Sequence, residues 1–483
     1  MHRKQQFCNS LTRTISELAT VALATATVLA LTVFLTQPAL GQTLPAAAWI
    51  EKVLHNFNIN GTDGYYPSAS LISDAAGNLY GTTSFGGIYC LSSGGCGTVF
   101  ELTPAAGGGW TETVLLNFNG TDGARPYAGL IFDSAGNLYG TTYSGGIYCH
   151  SIGGCGTVFE LTPTAGGNWT ETVLYNFGSG ADDGYEPSAS LIFDAAGNLY
   201  GTTHEGGTHG WGTVFELTPT AGGGWTEQVL YNFCAQTNCA DGWIPDAGLI
   251  FDAAGNLYGT TYAGGTNGVG TVFELTPTGG EGWSEQVLLN FGTGGAFPQA
   301  GLIFDAAGNL YGTTSEGGIH ILGTVFELTP TAGGGWTETV LHNFGSGTDG
   351  SYPHAGLIFD AAGNLYGTTQ YGGTYNSCSG GCGTVFELTP TAGGEWAEQV
   401  LLNFNGTSGA NPYAGVIFDG AGNLFGTTQL TYSNCSGFYC GTVFELMPIY
   451  ASCTRCRHSD SRESRVLPAD KKDVLEPGRI ERP

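Results

Sequence analysis

Short runs of apolar and β-branched residues, separated by turn signals, follow one another along most of the chain. One complete unit contains four of these runs, at residues 187–194, 198–203, 212–217 and 225–233. The third run alternates apolar with polar residues, and all four are rich in β-branched and aromatic side chains, which favour strands. No part of this region has helical periodicity over a window of about eleven residues. The pattern therefore predicts an all-β fold built from four-stranded units.

The unit recurs seven times along the chain. Every copy contains a form of the string Asp-x-x-Gly-Asn-Leu-Tyr-Gly-Thr-Thr, and consecutive copies lie 53–61 residues apart. Four short strands at this period are typical of a β-propeller blade. The glycine of the Gly-Asn pair falls at Gly77, Gly136, Gly197, Gly255, Gly308, Gly363 and Gly422.

The two ends of the repeat array predict how the ring closes. The array begins with a run of the fourth type, at residues 49–57, and it ends with a run of the third type, at residues 441–446. The first run can therefore complete the last blade and leave no unpaired sheet edge at the join, whereas an open solenoid would need capping repeats. We predict a seven-bladed β-propeller of four-stranded blades over residues 46–449, with the ring closed by the N-terminal strand.

The flanking segments differ from the propeller in composition. Residues 1–41 have a basic start, an apolar stretch and a small-residue site at Ala39-Leu40-Gly41, a combination typical of a cleaved signal peptide. An uncleaved membrane-tethering helix is the alternative, because about 18 apolar residues approach the length that spans a bilayer. Residues 42–45 are expected to be a short linker and residues 450–483 a disordered polar tail. We expect a secreted or cell-surface protein.

The charge of the propeller region excludes several kinds of partner. Residues 46–449 contain 33 acidic side chains and only two basic ones, Lys52 and Arg125. This surface repels phosphate backbones and anionic lipid heads, so neither nucleic acid nor a membrane surface is an expected partner. We expect a monomer without a cofactor.

Cysteine usage predicts disulfides within loops. Apart from Cys8, the cysteines fall in close pairs, as expected for an exported chain. A zinc site would need clustered Cys-x-x-Cys pairs, and only Cys453 and Cys456 have that spacing, with no second pair after them. Short disulfide loops stiffen the loop more than they stabilise the fold. The predicted loop disulfides are Cys90/Cys96, Cys149/Cys155, Cys234/Cys239, Cys378/Cys382 and Cys435/Cys440.

Three strings of the repeat suggest a family. They are D-x-x-G-N-L-Y-G-T-T, G-T-V-F-E-L-T-P and W-x-E-x-V-L-x-N-F, and together they resemble the bacterial GloVer tandem-repeat proteins over all seven copies. The resemblance implies an exported surface or secreted protein with no assigned activity and no catalytic residues. Members carry varied C-terminal anchors. Residues 450–483 contain no recognisable sorting signal, which favours release over anchoring.

The loops between the runs predict two different faces. If the closing strand is outermost, the Asp-Ala-Ala-Gly-Asn turn and the Thr-Pro-Thr-Ala-Gly-Gly turn share one face, and both are nearly identical in every copy. The loops after Gly-Thr-Thr and after Asn-Phe share the other face and vary in length and sequence. We call these the uniform face and the variable face. Binding residues are expected on the variable face, because ligand contacts are concentrated on such individual loops.

The positions around the proline that enters each inner strand should surround the channel mouth on the variable face. Aromatic rings stack on the apolar faces of sugars, and amides and acids bind hydroxyls, so a glycan or an extracellular protein is the expected ligand. A solvated rim without a ligand is the alternative. The predicted ligand-binding residues are Tyr66, Arg125, Tyr127, Glu186, His204, Trp243, Asp246, His354 and Tyr413.

Catalysis is an open alternative. Glu186 and Asp246 are candidates for acid–base chemistry of a polysaccharide lyase or hydrolase, although carboxylates are abundant enough to pair by chance. Arg125 either orients a ligand carboxylate or pairs with an acid such as Glu186. His204 and His209 lack the His-Glu-x-x-His spacing, so no metal site is predicted. A binding or surface protein is the leading hypothesis, and a structural envelope or matrix component is the third.

Overall fold

The computed structural model describes residues 48–58, 62–148, 154–280, 282–345, 348–432 and 440–449. The expected signal peptide or tethering helix, the linker and the C-terminal tail lie outside these residues. In the described part, nearly all regular structure is strand, with two 3₁₀ turns at Leu91–Ser93 and Thr237–Cys239. None of the described helices has the length and apolar character needed to cross a membrane.

Seven antiparallel four-stranded sheets form the blades of a β-propeller, which confirms the predicted fold class. The inner strands are Ile72–Ser73, Ile131–Phe132, Ile192–Phe193, Ile250–Phe251, Ile303–Phe304, Ile358–Phe359 and Ile417–Phe418. The second strands are Leu79–Thr83, Leu138–Thr142, Leu199–Thr203, Leu257–Thr261, Leu310–Thr314, Leu365–Thr369 and Leu424–Thr428.

The two remaining strands of each blade are longer and lie farther from the channel. The third strands are Thr98–Pro104, Thr157–Thr164, Thr213–Pro219, Thr271–Pro277, Thr324–Pro330, Thr384–Pro390 and Thr442–Ile449. The outer strands are Trp110–Asn117, Asn168–Asn176, Trp225–Asn232, Trp283–Asn290, Trp336–Asn343, Trp396–Asn403 and Ala48–Asn56. Two-residue ribbons join loops of the variable face at Gly64–Tyr65 with Phe85–Gly86, Gly184–Tyr185 with Glu205–Gly206, and Gly350–Ser351 with Tyr371–Gly372.

The N-terminal strand completes the last blade. Ala48–Asn56 pairs antiparallel with Thr442–Ile449, with Ala48 opposite Ile449 and Asn56 opposite Thr442. The last blade also contacts the first, because the Thr427 hydroxyl donates to the Ala69 carbonyl at 3.2 Å. The ends of the repeat array thus gave the correct strand order at the join.

A phenylalanine packed on a glycine forms the centre of each blade. A Cβ added to Gly201 of the second strand would lie 2.6 Å from Cζ of Phe215 on the third strand, so only glycine leaves room for the ring. Phe215 in turn packs edge-to-face against Phe177, at the end of the preceding blade's outer strand, with ring centroids 5.0 Å apart. The same contact occurs between all seven blade pairs, at 5.0–5.1 Å.

Buried threonines connect each blade to the next. The Thr141 hydroxyl donates to the Ala189 carbonyl of the following blade at 3.2 Å, and an equivalent bond recurs at every blade junction. This bond explains why the inner strand is shorter than predicted. The run at 187–194 contributes only Ile192–Phe193 to the sheet, because the Ala189 carbonyl is taken by a neighbouring side chain.

The Asp-Ala-Ala-Gly-Asn segment forms the predicted structural turn. Asp194 Oδ1 accepts the backbone N–H groups of Ala196 and Asn198 at 2.8 and 2.9 Å. Asn198 also donates its side-chain amide to Asp194 Oδ2, and Gly197 has a φ of 88°. The carboxylate therefore accepts hydrogen bonds from backbone N–H groups that have no strand partner in a tight turn.

The contact between the first and last blades makes a testable prediction. Phe57 follows the closing strand, is fully buried and packs on Phe100 of the first blade at 5.1 Å. Phe57→Ala should lower the free energy of unfolding by about 3–5 kcal/mol, the usual cost of emptying a buried phenylalanine site. The equivalent Phe344→Ala between two internal blades is the matched control. Denaturant unfolding should give similar losses for both variants; a much smaller loss for Phe57→Ala would mean that the closing strand is only loosely attached.

Pairs of buried carboxyl groups recur beside the outer strands. Burial, and after it the charge of the neighbouring Asp122, raises the pKa of Glu171 to about 8. Burial also raises the pKa of Asp122. In the fifth blade the place of this aspartate is taken by Gly294, beside Glu338. The fold therefore buries acids that favour their protonated form.

These pairs should make the propeller more stable in mild acid. The pKa of Glu171 is near 8 in the folded state and about 4.3 when unfolded, so the folded state holds more protons between these values. Its contribution to stability is therefore lost as the pH rises through this window. Glu171→Gln should stabilise the protein at pH 8 more than at pH 5.5, as measured by denaturant midpoints. Glu338→Gln, which lacks the aspartate, should show a smaller difference, and equal effects of both changes would contradict pairing as the cause.

Candidate functional site

The structure separates the two predicted faces. On one side, a groove of about 490 Å³ between the first and last blades is lined by Asp74 and Gly77 of one repeated turn and by Pro104 and Trp110 of the other. Both repeated turns therefore share the uniform face. The loops after Gly-Thr-Thr and Asn-Phe meet on the opposite face.

A ring of left-handed backbone conformations surrounds the channel on the variable face. In every blade the residue before the entering proline has a φ between 55° and 64°, although none of these residues is glycine. This conformation costs about 1 kcal/mol for a residue with a side chain. The residues are Tyr66, Arg125, Glu186, Ile244, Phe297, Tyr352 and Asn411.

A cavity of about 620 Å³ opens at the channel mouth. All of its lining residues occupy one of three repeat positions: before the proline, after the proline, or directly after Gly-Thr-Thr. These are positions at which the seven copies differ. A neighbouring hollow of about 580 Å³ shares Tyr66, Tyr127, Gln370 and Gln429 with it. The lining residues are Tyr66, Ser68, Arg125, Tyr127, Tyr143, Ser188, His204, Asp246, Gln299, Gln370, Tyr413 and Gln429.

Six of the nine predicted ligand-binding residues line this cavity, and three do not. Glu186 is not among the lining residues, but it is half-buried next to them and accepts a hydrogen bond from the Tyr143 hydroxyl, which does line the cavity. His354 stacks on Tyr413 with ring centroids 4.8 Å apart. Trp243 is elsewhere, packed edge-to-face on Trp211 with ring centroids 4.6 Å apart. The lining residues absent from the predicted set include Tyr143, Gln299, Gln370 and Gln429. They occupy the same repeat positions as predicted residues of other blades, and this equivalence could have identified them.

One wall of the cavity is acidic. His204 Nδ1 donates to Asp246 Oδ1 at 2.6 Å, and Ser188 donates to the same oxygen at 3.0 Å. The Tyr143 hydroxyl donates to Glu186 Oε2 at 2.6 Å. Burial lowers the pKa of His204, but the neighbouring carboxylates, Asp246 first, outweigh burial and raise it above its ordinary value. Burial and the bond to Glu186 raise the pKa of Tyr143.

The opposite wall consists of amides and aromatic rings. Gln299 Oε1 accepts hydrogen bonds from His354 Nδ1 at 2.7 Å and from the Tyr413 hydroxyl at 2.9 Å. Burial lowers the pKa of His354 to about 4, so this imidazole is neutral at physiological pH. Gln429 donates to Ser68 at 3.3 Å. This wall therefore offers uncharged polar groups held in a fixed arrangement.

Arg125 is the basic residue of the cavity wall. Its guanidinium lies 5.7 Å from the centre of the Phe85 ring, and its Nε is buried without a hydrogen-bond partner. Among the described residues it forms no ion pair, and Glu186 is bonded to Tyr143 instead. The structure thus does not contain the Arg125–Glu186 pair that was one of the two expectations for this arginine.

Disulfides hold parts of the variable face. The structure contains Cys90–Cys96, Cys234–Cys239 and Cys378–Cys382 as predicted. Cys155 and Cys440 are also disulfide-bonded, and their predicted partners Cys149 and Cys435 lie outside the described residues.

Four cysteine carbonyls anchor residues of the left-handed ring. Arg125 donates its backbone N–H to the Cys96 carbonyl at 2.8 Å, and Glu186 donates to the Cys155 carbonyl at 2.9 Å. The N–H groups of Tyr66 and Asn411 bond the Cys440 and Cys382 carbonyls in the same way. Each of these cysteines belongs to the blade before the residue that it anchors. Trp211, Val269 and Leu322 supply the equivalent carbonyl in the other three blades, so the disulfides constrain loops whose anchoring bond belongs to the fold as a whole.

Three solved structures resemble this chain distantly. A protein of unknown function from Dyadobacter fermentans DSM 18053 aligns over 84% of this chain and 100% of its own, at 11% identity and a TM-score of 0.42. A Thermus thermophilus protein described as an oxidoreductase (glucose dehydrogenase) aligns over 83% and 100%, at 15% identity and 0.38. The NanB sialidase of Streptococcus pneumoniae aligns over 83% and 70%, at 11% identity and 0.39. With TM-scores this low, none of them informs the function of this chain.

No curated protein matches the chain. The family described as the Gloeobacter/Verrucomicrobia repeat matches residues 42–192 and 148–379, which together span more than half of the sequence. The match confirms the resemblance drawn from the repeat strings. The chain belongs to the Gloeobacter/Verrucomicrobia repeat family.

Proposed function

We propose that this protein is an exported, non-enzymatic binding protein that takes a glycan into the mouth of its channel on the variable face. The observation that carries the proposal is the origin of the cavity wall. Every lining residue comes from a repeat position at which the copies differ, whereas the remainder of each blade is nearly uniform. The seven copies therefore share a scaffold and differ where a ligand would touch them.

The chemistry of the wall suits a sugar polymer. Tyr66, Tyr127 and Tyr413 offer rings for the apolar faces of sugars, and Gln299 and Gln370 offer amides for hydroxyl groups. Neutral sugars avoid the repulsion that an acidic body imposes on polyanions. Arg125 lines the cavity and forms no ion pair among the described residues, so its guanidinium adds a position for a single carboxylate or another acidic oxygen.

The left-handed ring supports a role for its side chains. Glycine adopts this conformation without cost, and this chain uses glycine at most of its other positive-φ positions. The seven residues before the prolines nevertheless all carry side chains. Side chains at strained positions are expected where their contacts contribute to ligand binding.

Exposed apolar side chains are also concentrated on this face. Of the twelve large hydrophobic side chains exposed in the described residues, ten lie in loops between second and third strands. Only Ile50 and Ile449 lie elsewhere. Such concentrations are typical of binding surfaces.

Export is part of the proposal. Disulfides persist in oxidising compartments and are rare in the cytosol. The pattern of residues 1–41 favours a cleaved signal peptide, and we propose that the mature protein is secreted or displayed at the cell surface.

A glycan array tests the binding function directly. The mature protein should bind one class of neutral or weakly acidic glycan, and Tyr127→Ala should weaken that binding by about tenfold or more through loss of a stacking surface. Tyr375→Ala is the matched control, because Tyr375 is exposed on the same face but does not line the cavity. No binding across neutral and acidic glycans, or equal losses from both changes, would count against the proposal. A blank array would favour the structural matrix role or a protein ligand.

A second candidate function is polysaccharide cleavage at the same mouth. The observation in its favour is that Asp246, bonded to His204, lines the cavity together with Arg125, while Glu186 is bonded to the lining residue Tyr143. Release of reducing ends from a uronic-acid polymer, abolished by Glu186→Gln or Asp246→Asn but not by Glu316→Gln, would establish it. Binding without release would retain the first proposal.

A further inference from the structure

Each blade places two rim side chains side by side through its backbone. The residue after Gly-Thr-Thr donates its N–H to the carbonyl of the residue before the proline, at 2.8–3.2 Å in all seven blades. In the third blade these two residues are His204 and Glu186, joined at 3.1 Å, and Glu205 follows directly. Among the described residues, no other blade fills these three positions with side chains that all ligate metals.

The three side chains converge on one point. A ligand atom of each of Glu186, His204 and Glu205 lies within 4.8 Å of those of the other two. The Tyr143 hydroxyl orients Glu186 at 2.6 Å, and Glu205 is held opposite Tyr185 in a two-residue ribbon. Two carboxylates and an imidazole are therefore half-buried close together, and His204 among them lines the cavity.

Asp246 fixes the tautomer of the imidazole. Because His204 Nδ1 donates to Asp246 at 2.6 Å, the neutral ring carries its free lone pair on Nε2. A carboxylate that holds the second nitrogen of a histidine is the usual support for a metal-binding imidazole. Asp246 comes from the fourth blade, so two blades contribute to this arrangement.

No lysine or arginine of the described residues pairs with the cluster. Within the described residues, Lys52 pairs with Glu445 and Arg125 lies against Phe85, so neither forms an ion pair with the acids of the third blade. Three carboxylates consequently surround a single imidazole. A divalent cation would offset most of this negative charge.

We propose that Glu186, His204 and Glu205 bind a first-row divalent transition ion such as Zn²⁺ or Mn²⁺, with Asp246 supporting His204. A mixed imidazole and carboxylate set suits these ions. Calcium and magnesium prefer more oxygen ligands than this wall provides. Three protein ligands leave coordination positions for water or a ligand oxygen at the cavity edge. The metal site does not depend on the proposed glycan function, and its test is metal binding itself.

Isothermal titration calorimetry of metal-stripped protein provides the test. The full mature chain should bind one equivalent of Zn²⁺ or Mn²⁺ near neutral pH, and His204→Ala should abolish this binding. Asp246→Asn should weaken binding by about 10–100-fold, as expected for a residue that acts through the ligand. The titration should use a Cys453→Ser, Cys456→Ser background, because free thiols would compete for Zn²⁺.

Glu316→Gln is the matched control. Glu316 occupies the place of Glu205 in the fifth blade, where Ser315 and Phe297 replace the other two ligands. This variant should bind metal normally, whereas Glu205→Gln should bind it at least tenfold more weakly. Circular dichroism should show that all variants are folded. The proposal is overturned if no stoichiometric binding occurs, or if His204→Ala and Glu205→Gln bind as the parent protein does.

Discussion

The packing of a phenylalanine ring on a glycine determines how each blade of this propeller contacts the next. The ring of Phe215 lies over Gly201 within its own blade and against Phe177 of the blade before it. The contact with Gly201 sets how closely the second and third strands approach each other. The contact with Phe177 sets the angle between neighbouring blades. Because both contacts recur around the ring with nearly constant distances, the blades pack with the same geometry, and the closing contact between Phe57 and Phe100 resembles the internal ones.

Much of this architecture could be predicted from the amino-acid pattern, because every repeat shows the same structural constraints in its sequence. The four runs, their order, the strand that closes the ring and the Asp194 turn all follow from local patterns copied in each unit. The short inner strand did not follow, because it depends on contacts between blades such as the bond from Thr141 to the Ala189 carbonyl. The pairing of Asp122 with Glu171 was equally hidden, since it depends on a loop folding back onto an outer strand.

At the channel mouth too, the positions of the residues could be predicted from the sequence, but their side-chain contacts could not. Comparing the copies located the cavity wall, because differences among repeats mark the positions that the fold leaves free. The comparison could not say that His204 would turn towards Asp246, that Gln299 would accept from two side chains, or that Arg125 would avoid Glu186. Those choices depend on side-chain geometry between blades. The contact between Trp243 and Trp211 was not predictable for the same reason.

Disulfide-bonded cysteines anchor Tyr66, Arg125, Glu186 and Asn411 through their backbone carbonyls, which links the channel mouth to the redox state of the loops. The strands can pair while thiols are reduced, since their ladders contain no cysteine side chain. In four blades the rim backbone is bonded to a cysteine carbonyl of a disulfide-closed loop, whereas Trp211, Val269 and Leu322 supply the equivalent carbonyl in the other three. Oxidising surroundings would therefore constrain loops at the channel mouth in four of the seven blades and leave the strand pairing of every blade unaffected.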